Sequence, residues 1–251
     1  MIVALPARAK LNLDLHVTGR RADGLHELRT HMVAIDLHDL VEAEASDETE
    51  IVLSGMPVSD ARPNTVLTAH SAFELAAGRR LPTRFRVHKR IPPGSGMGGA
   101  SSDAAAALRA LSALHGLKVD VAALATKIGA DVSFFLRGGA ALVEGIGERL
   151  SAEPVREEWF AIAWPGVELS TAAVYRAWDE VGGDGENELR RAASRVNPSI
   201  DAFASALGEG WQMTGSGSAY FRRCPDRERA VEAARGIECW TAVAHSVGNW
   251  A

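Results

Sequence analysis

The chain has 251 residues, of which 47% are hydrophobic and 24% charged, a composition typical of a globular protein with one large domain or two smaller ones. Its net charge of −5 argues against a general nucleic-acid-binding protein. Two cysteines are too few for a disulfide framework, and no run of about 18 apolar residues exists, so we expect no membrane span and a cytoplasmic location. Arg8 and Lys10 interrupt the first apolar run, which is therefore not expected to be a signal peptide.

In the first half of the chain the pattern predicts mainly strands. Residues 1–17 are predicted as a strand and 18–28 as a turn-rich loop. A helix is predicted to begin after Asn64, a favourable N-cap, and to end at Gly78. Charged and apolar residues alternate in 83–91, which predicts a half-exposed strand. Three further strands are predicted at 29–37, 39–46 and 50–55.

A glycine-rich segment, PPGSGMGGASSDAAAALRAL (92–111), leads into a predicted helix at about 101–115, and Asp120 is expected to begin another helix through 129. After about residue 150 the pattern changes. Strands are predicted at 159–166 and 239–247, helices at 170–182, 197–210 and 226–237, and a glycine turn leading into a strand at 213–223. This order predicts an α+β fold of two domains, 1–150 and 151–251, whose second part has the pattern of a ferredoxin-like split βαβ unit.

The glycine-rich segment has three possible roles. Gly94, Gly96 and Gly99 match G-x-G-x-x-G, but a strand before a Rossmann loop is buried on both faces, and 83–91 carries alternating charges. No Lys-Ser or Lys-Thr pair follows the glycines, so the Walker pattern also fails. A flexible linker is the third possibility, although a linker does not usually open onto a helix. We therefore expect a phosphate cradle of another type, with Ser101 and Ser102 at a helix N-terminus where their hydroxyls can bind phosphate or Mg²⁺.

Four segments in order along the chain resemble the signatures of the GHMP kinase superfamily. They are PARAKLNLDLHVTGRRADGLHEL (6–28), PPGSGMGGASSDAA (92–105), GADVSFFLRGGAALVEGIGERL (129–150) and MTGSGSAYF (213–221). The first and third, together with GENELRR (185–191), are most similar to the kinases that act on 4-diphosphocytidyl-2-C-methyl-D-erythritol. The resemblance implies a ribosomal-protein-S5-like N-terminal domain, a ferredoxin-like C-terminal domain and a site in the cleft between them.

The resemblance also implies an activity. Such kinases use ATP, with Mg²⁺ carried by the nucleotide, to phosphorylate the 2-hydroxyl of the methylerythritol moiety in the non-mevalonate route to isoprenoid precursors. The implied partner is this small molecule, with no nucleic acid and no membrane, and the implied state is a monomer or weak homodimer. Two positions depart from the family pattern, Leu25 in place of tyrosine and Ser133 in place of proline. Two alternatives stay open: a GHMP kinase for homoserine, mevalonate or a sugar, and a non-catalytic sensor with this fold.

Carried over by matching position, Lys10 and Asp131 are the expected catalytic pair, with Asp131 as the base. Because a buried unpaired lysine is costly, we expect Asp131 to be the ionic partner of Lys10. Four histidines at 16, 26, 31 and 38 lack ligand spacing, so no side-chain metal site is predicted. The residues expected to bind ATP are Pro93, Gly94, Ser95, Gly96, Met97, Gly98, Gly99, Ala100, Ser101, Ser102, Asp103, Asn64 and Lys89. Those expected to bind the substrate are Asn12, Leu25, His26, Tyr175, Thr214, Gly215, Ser216 and Gly217, with His26 reading cytosine and 214–218 forming a second nest of N–H groups.

Overall fold

The computed structural model describes residues 1–58 and 63–249, which are built around two β-sheets. In the first sheet the strands lie in the order β4-β5-β3-β6-β7, and β1 and β2 also pair with β3. All of these pairs are antiparallel except the parallel pair of β4 and β5. The strands are β1 (Ile2–Asn12), β2 (His16–Arg20), β3 (His26–Ala45), β4 (Glu50–Gly55), β5 (Thr83–Lys89), β6 (Ala140–Gly145) and β7 (Arg149–Glu153).

The long strand β3 corrects the sequence prediction in two places. The predicted strands 29–37 and 39–46 are one strand of 20 residues, and much of the predicted loop 18–28 belongs to β2 and β3. The hydrophobic pattern breaks because the pairing of β1 with β3 shifts register between Arg8 and Lys10, whose partners are His38 and Ala34. A bulge changes which face a side chain occupies without ending the strand.

Four helices cover one face of this sheet: α1 (Thr65–Ala77), α2 (Gly99–His115), α3 (Val121–Ile128) and α4 (Val132–Arg137). The predicted caps of α1 are confirmed, since the Asn64 side chain accepts a hydrogen bond from the Val66 N–H and Gly78 ends the helix. The cap of α3 at Asp120 is also confirmed. Helix α2 begins two residues earlier than predicted. The six-residue helix α4 was not predicted, because so short a segment carries too few turns for helical periodicity.

The second sheet has four antiparallel strands in the order β11-β8-β10-β9, with helices between them. This is a ferredoxin-like arrangement, as predicted, with two additional helices, of which α6 was not predicted. Within the two described ranges no helix combines the length and apolar character that a membrane crossing needs. The elements are β8 (Trp159–Trp164), α5 (Thr171–Val181), α6 (Arg190–Val196), α7 (Ser199–Leu207), β9 (Gln212–Met213), β10 (Tyr220–Cys224), α8 (Arg227–Ala234) and β11 (Trp240–His245).

An apolar cluster joins the two sheets. Leu11 and Val33, on the face of the first sheet that the four helices do not cover, pack with Phe160, Ile162 and Phe221 of the second sheet. Strand β7 still pairs with β6, and the second sheet begins only at β8, so we propose the domain division in the connection between these strands, slightly later than the expected residue 150. The packing places the end of β1 beside loops from both halves of the chain.

Candidate active site

The glycine loop, residues 92–98, is anchored to both halves of the chain. The Gly94 carbonyl accepts from the Ser218 N–H (3.3 Å), and the Ser95 carbonyl accepts from the Ala219 N–H (3.0 Å). The Met97 carbonyl accepts from the Lys10 N–H (3.0 Å). A segment held by backbone hydrogen bonds at three points is not a flexible linker, so that possibility is excluded.

Helix α2 begins without a side-chain cap. In α1, α3, α5 and α8 a side chain accepts from the first turn, whereas α2, like α4, α6 and α7, has no such cap, and the residue before it is Gly98. The first N–H groups of a helix have no partner within the helix, and the helix dipole favours an anion beside them. The start of α2 therefore provides donors for a phosphate group.

Gly98 is required by the packing of the protein itself. Its φ is +75°, and a Cβ atom there would lie 2.6 Å from the Phe135 ring and 3.4 Å from Cε of Lys10. The glycine thus lets α4 and Lys10 pack against the loop, and the protein itself fills the space that a side chain would occupy.

Side chains of several residues expected to bind ATP point into the protein. Ser95 Oγ donates to the Pro92 carbonyl (2.6 Å), and Met97 is buried in the apolar cluster between the sheets. Ser102 is buried and lines a small cavity with Leu5 and Phe135, and its expected contact with phosphate or Mg²⁺ stays a prediction. Ser101 is only half-buried and adjoins Gly129. It is therefore the less buried residue of the pair.

The expected adenine-side residues are engaged within the protein. Asn64 caps α1, and Lys89 is buried with its ammonium donating to Asp39 and Asp103. Although burial lowers the pKa of Lys89, the two carboxylates outweigh it and raise that pKa. Burial raises the pKa of Asp103 to about 7, against the opposing effect of Lys89. Both side chains are thus buried and paired within the protein, and their expected role at the ATP site stays a prediction.

Lys10 and Asp131 lie near each other, but the expected ion pair is not formed. Lys10 is buried, and its ammonium donates to Oδ1 of Asn12. Among the described residues no ion pair joins it to Asp131. Burial lowers the pKa of Lys10, and the charge of Asp131 partly offsets this effect. The hydrogen-bond partner found instead is Asn12, two residues along the same strand face, which was not predicted in this role.

The Asp131 carboxylate is unengaged in the described part of the chain. The residue directly precedes α4, yet its side chain makes no capping hydrogen bond. Burial raises the pKa of the Tyr175 phenol, and the charge of Asp131 adds to the effect. Asp131 therefore lies within electrostatic reach of both Lys10 and Tyr175, with its oxygens free to accept a proton from a third group.

The second glycine turn, residues 214–218, meets the end of β1. The Asn12 N–H donates to Thr214 Oγ1 (2.9 Å), and the Asn12 side-chain amide donates to Thr30 (2.8 Å). A Cβ atom on Gly215 would lie 2.8 Å from the Gly96 carbonyl oxygen and 2.9 Å from Nζ of Lys10. Three of the four signature segments thus converge on Lys10.

Asn187 was missed as a site residue. Its side-chain amide donates to the carbonyls of Met213 (2.7 Å) and Gly215 (2.9 Å), which fixes the second glycine turn. The segment GENELRR gave the only signal for it. Ser216 is held in a different way, by a 3.0 Å hydrogen bond between its hydroxyl and that of Thr171.

The structure brings His26 and Tyr175 together, but with their rings against each other. The ring centroids are 5.0 Å apart at an interplanar angle of 19°, and Trp178 contacts His26 edge-on. His26 Nε2 lies 2.7 Å from Oδ1 of Asp179, so the carboxylate fixes this nitrogen as the donor and leaves Nδ1 available to a ligand. Leu25 is 50% exposed beside them. Trp178 and Asp179 were not predicted, because sequence does not reveal which turn of α5 faces His26.

Comparison with known proteins agrees with this geometry. The family described as GHMP kinases N terminal domain matches residues 64–139. A 4-diphosphocytidyl-2-C-methyl-D-erythritol kinase of Delftia acidovorans is 35% identical, with 98% of this chain and 96% of that protein covered. One of Chromobacterium violaceum is 36% identical over 90% of this chain and 87% of its own length.

Solved structures show the same relationship. A crystal structure of 4-(cytidine 5'-diphospho)-2C-methyl-D-erythritol kinase superposes with a TM-score of 0.79 at 34% identity, covering 98% of this chain and all of that one. A homoserine kinase from Cytophaga hutchinsonii has a TM-score of 0.70 at 21% identity, over 99% of this chain and 95% of that chain, and shows the shared fold alone. The chain belongs to the 4-diphosphocytidyl-2-C-methyl-D-erythritol kinase family within the GHMP kinases.

Proposed function

We propose that this protein transfers the γ-phosphoryl group of ATP to the 2-hydroxyl of 4-diphosphocytidyl-2-C-methyl-D-erythritol, in isoprenoid precursor biosynthesis. The observation that carries the proposal is the convergence of Lys10, Gly215 and the uncapped start of α2 beside the unengaged Asp131 carboxylate. Phosphoryl transfer requires a donor cradle, neutralisation of charge and a proton acceptor, and this arrangement can supply all three.

The donor phosphates would lie at the start of α2. The first backbone N–H groups of α2, from residue 99 onward, point to that end of the helix, and no side-chain cap occupies them. Mg²⁺ bound with the nucleotide would neutralise phosphate charge, and Ser101 is the hydroxyl available to ligate it. Among the described residues no group of three acidic, histidine or cysteine side chains could hold a metal without the nucleotide.

Asp131 would act as the base. The acceptor hydroxyl oxygen forms a bond to the γ-phosphorus, its proton passes to the carboxylate, and the bond from the phosphorus to the bridging oxygen breaks to release ADP. Lys10 lies within electrostatic reach of Asp131 and is oriented by Asn12. Its ammonium would stabilise the negative charge that the transferring group carries.

The cytidine end of the acceptor would lie beside His26. Asp179 leaves Nδ1 of His26 as the hydrogen-bonding atom, and the exposed Leu25 offers an apolar surface to a base. Gly215 adjoins Lys10, and the backbone N–H groups of residues 214–218 would meet the diphosphate. We propose that the protein acts in the cytoplasm as a monomer or weak homodimer.

The test is an acceptor panel. ADP release would be followed by a coupled assay with 4-diphosphocytidyl-2-C-methyl-D-erythritol, mevalonate or homoserine, and the phosphorylated position would be read by phosphorus NMR. We expect a kcat/KM for the cytidyl substrate at least about 100-fold above the others, the scale on which a recognition group discriminates. A larger value for homoserine or mevalonate would replace the proposed substrate, and ATP binding without turnover on any acceptor would favour the sensor.

A further inference from the structure

A buried charged cluster lies beneath the glycine loop, made of Asp39 from β3, Lys89 at the end of β5 and Asp103 in the first turns of α2. We call it the Asp39–Lys89–Asp103 triad. Asp39 is fully buried, and the other two are more than nine-tenths buried. The Lys89 ammonium donates to one carboxylate oxygen of each aspartate. This cluster makes no contact with the acceptor side of the site in the described residues.

The triad joins the two ends of the glycine loop. Asp39 Oδ1 accepts from the N–H groups of Arg90 and Ile91, the latter at 2.8 Å, which fixes the chain just before the loop. Asp103 belongs to the helix just after it. A Cβ atom on Gly99, the first residue of α2, would lie 3.4 Å from Oδ2 of Asp39. One lysine therefore ties the entry and the exit of the loop together.

Packing alone does not account for this cluster. Burying one cation with two carboxylates carries a desolvation cost that apolar side chains of similar volume would avoid. One oxygen of Asp103 is also buried with no hydrogen-bond partner in the described structure. What the charges provide, and apolar groups cannot, is a fixed direction for the start of α2 relative to β3 and β5, because charged hydrogen bonds are directional.

We propose that Asp39, Lys89 and Asp103 are positioning residues for the phosphoryl donor, holding the first N–H groups of α2 at the angle that the phosphates of ATP require. The inference rests on the proposed function, since it takes this loop as the ATP site. The triad acts through the loop and touches no reacting atom.

The test compares ATP binding by calorimetry at about pH 8.5, above the pKa of about 7 of Asp103, in the wild type, Asp39→Asn and Asp103→Asn. Each variant keeps one aspartate on Lys89, so the buried cation is never left unpaired. Asp120→Asn is the matched control, because it also neutralises an aspartate at a helix start but belongs to α3, outside the loop and the triad. We expect the Kd for ATP to rise about tenfold in the triad variants. A tenfold rise corresponds to about a tenth of the molecules holding the loop in the arrangement that binds ATP. The control should match the wild type.

Two further measurements separate positioning from a general loss of structure. The KM for the acceptor should stay within about twofold of the wild type, while the KM for ATP follows the Kd. Hydrogen exchange of residues 94–101 should accelerate in the triad variants, and exchange in β8 and β10 should not change. If Asp39→Asn fails to fold, Asp103→Asn alone decides the question.

The outcomes distinguish the two proposals. Triad variants that bind ATP as tightly as the wild type, with unchanged exchange in the loop, would overturn the positioning role and leave the proposed kinase activity intact. A rise in both KM values together would also overturn it, since that pattern indicates general damage. A wild-type protein that binds no ATP would refute the proposed function itself.

Discussion

Gly215→Ala tests whether the loops from the two halves of the chain truly meet at Lys10. The substitution adds one methyl group at a position whose φ is +55°. That methyl carbon would lie 2.8 Å from the Gly96 carbonyl oxygen, 2.9 Å from Nζ of Lys10 and 3.1 Å from Oδ1 of Asn12. All three neighbours belong to the proposed site, so the perturbation reaches it directly.

Two effects add up in this variant. A left-handed φ costs a non-glycine residue about 1–2 kcal/mol of stability. Reaching an ordinary contact distance also requires the Lys10 ammonium to move by about 0.5 Å. Since a misplacement of about 1 Å in an active site can cost about 100-fold in rate, we expect kcat to fall about 10- to 100-fold.

The assay is steady-state ADP release from ATP and the cytidyl acceptor, together with thermal unfolding. Gly116→Ala is the matched control, because Gly116 has a φ of +62° but no atom within 4 Å of its added Cβ. The control should lose a similar amount of stability while keeping its kcat. If Gly215→Ala retains a kcat within twofold of the wild type, or if both variants lose activity equally, the convergence on Lys10 does not govern catalysis.

Three further predictions follow from the same geometry. Asp131→Asn should lower kcat by about 100-fold or more with little change in ATP affinity by calorimetry, and wild-type turnover would remove Asp131 from the mechanism. Leu25→Tyr should lower the KM for the cytidyl substrate about 5- to 150-fold at nearly constant kcat, because base stacking is worth about 1–3 kcal/mol; an equal gain for homoserine would contradict cytosine recognition here. Asp103 should keep its proton up to about pH 7 in the folded protein, whereas the unfolded chain releases it near pH 3.8. The free energy of unfolding should therefore fall as the pH rises from 3.8 to about 7, by up to about 1.4 kcal/mol per pH unit. Urea unfolding at several pH values checks this, and Asp103→Asn should lack the slope; parallel curves for both proteins would show that Asp103 does not titrate in that range.

The sequence predicted best those features that depend on local chemistry. The caps Asn64, Gly78 and Asp120 bound their helices as expected, because side-chain and left-handed caps act within a few residues. The glycine loop was also identified from neighbouring residues, namely its glycines and the helix that follows them. Strand β3 was wrongly divided, because its bulge is set by pairing with β1 and leaves in its own residues only a break in alternation.

The site was predictable only as far as the signature segments reached. The signature segments predicted that Lys10, Asp131 and Gly215 lie in one site. They did not predict which residues contact these three. The pairing of Lys89 with Asp39, 50 residues earlier in the chain, was not predicted, because the sequence alone does not show which strands lie side by side. The stacking of His26 on Tyr175 escaped prediction for the same reason.

The anchoring of the glycine loop has a consequence for how the two halves of the chain can move. Gly94 and Ser95 accept hydrogen bonds from Leu169, Ser218 and Ala219 in the second half, while α2, which follows the loop, packs in the core of the first half. A hinge motion between the halves must therefore either break these hydrogen bonds or pull the loop away from the start of its own helix. Opening and closing of the cleft would in either case change the shape of the nucleotide pocket, so the exit of ADP and the entry of a new acceptor would be mechanically coupled steps.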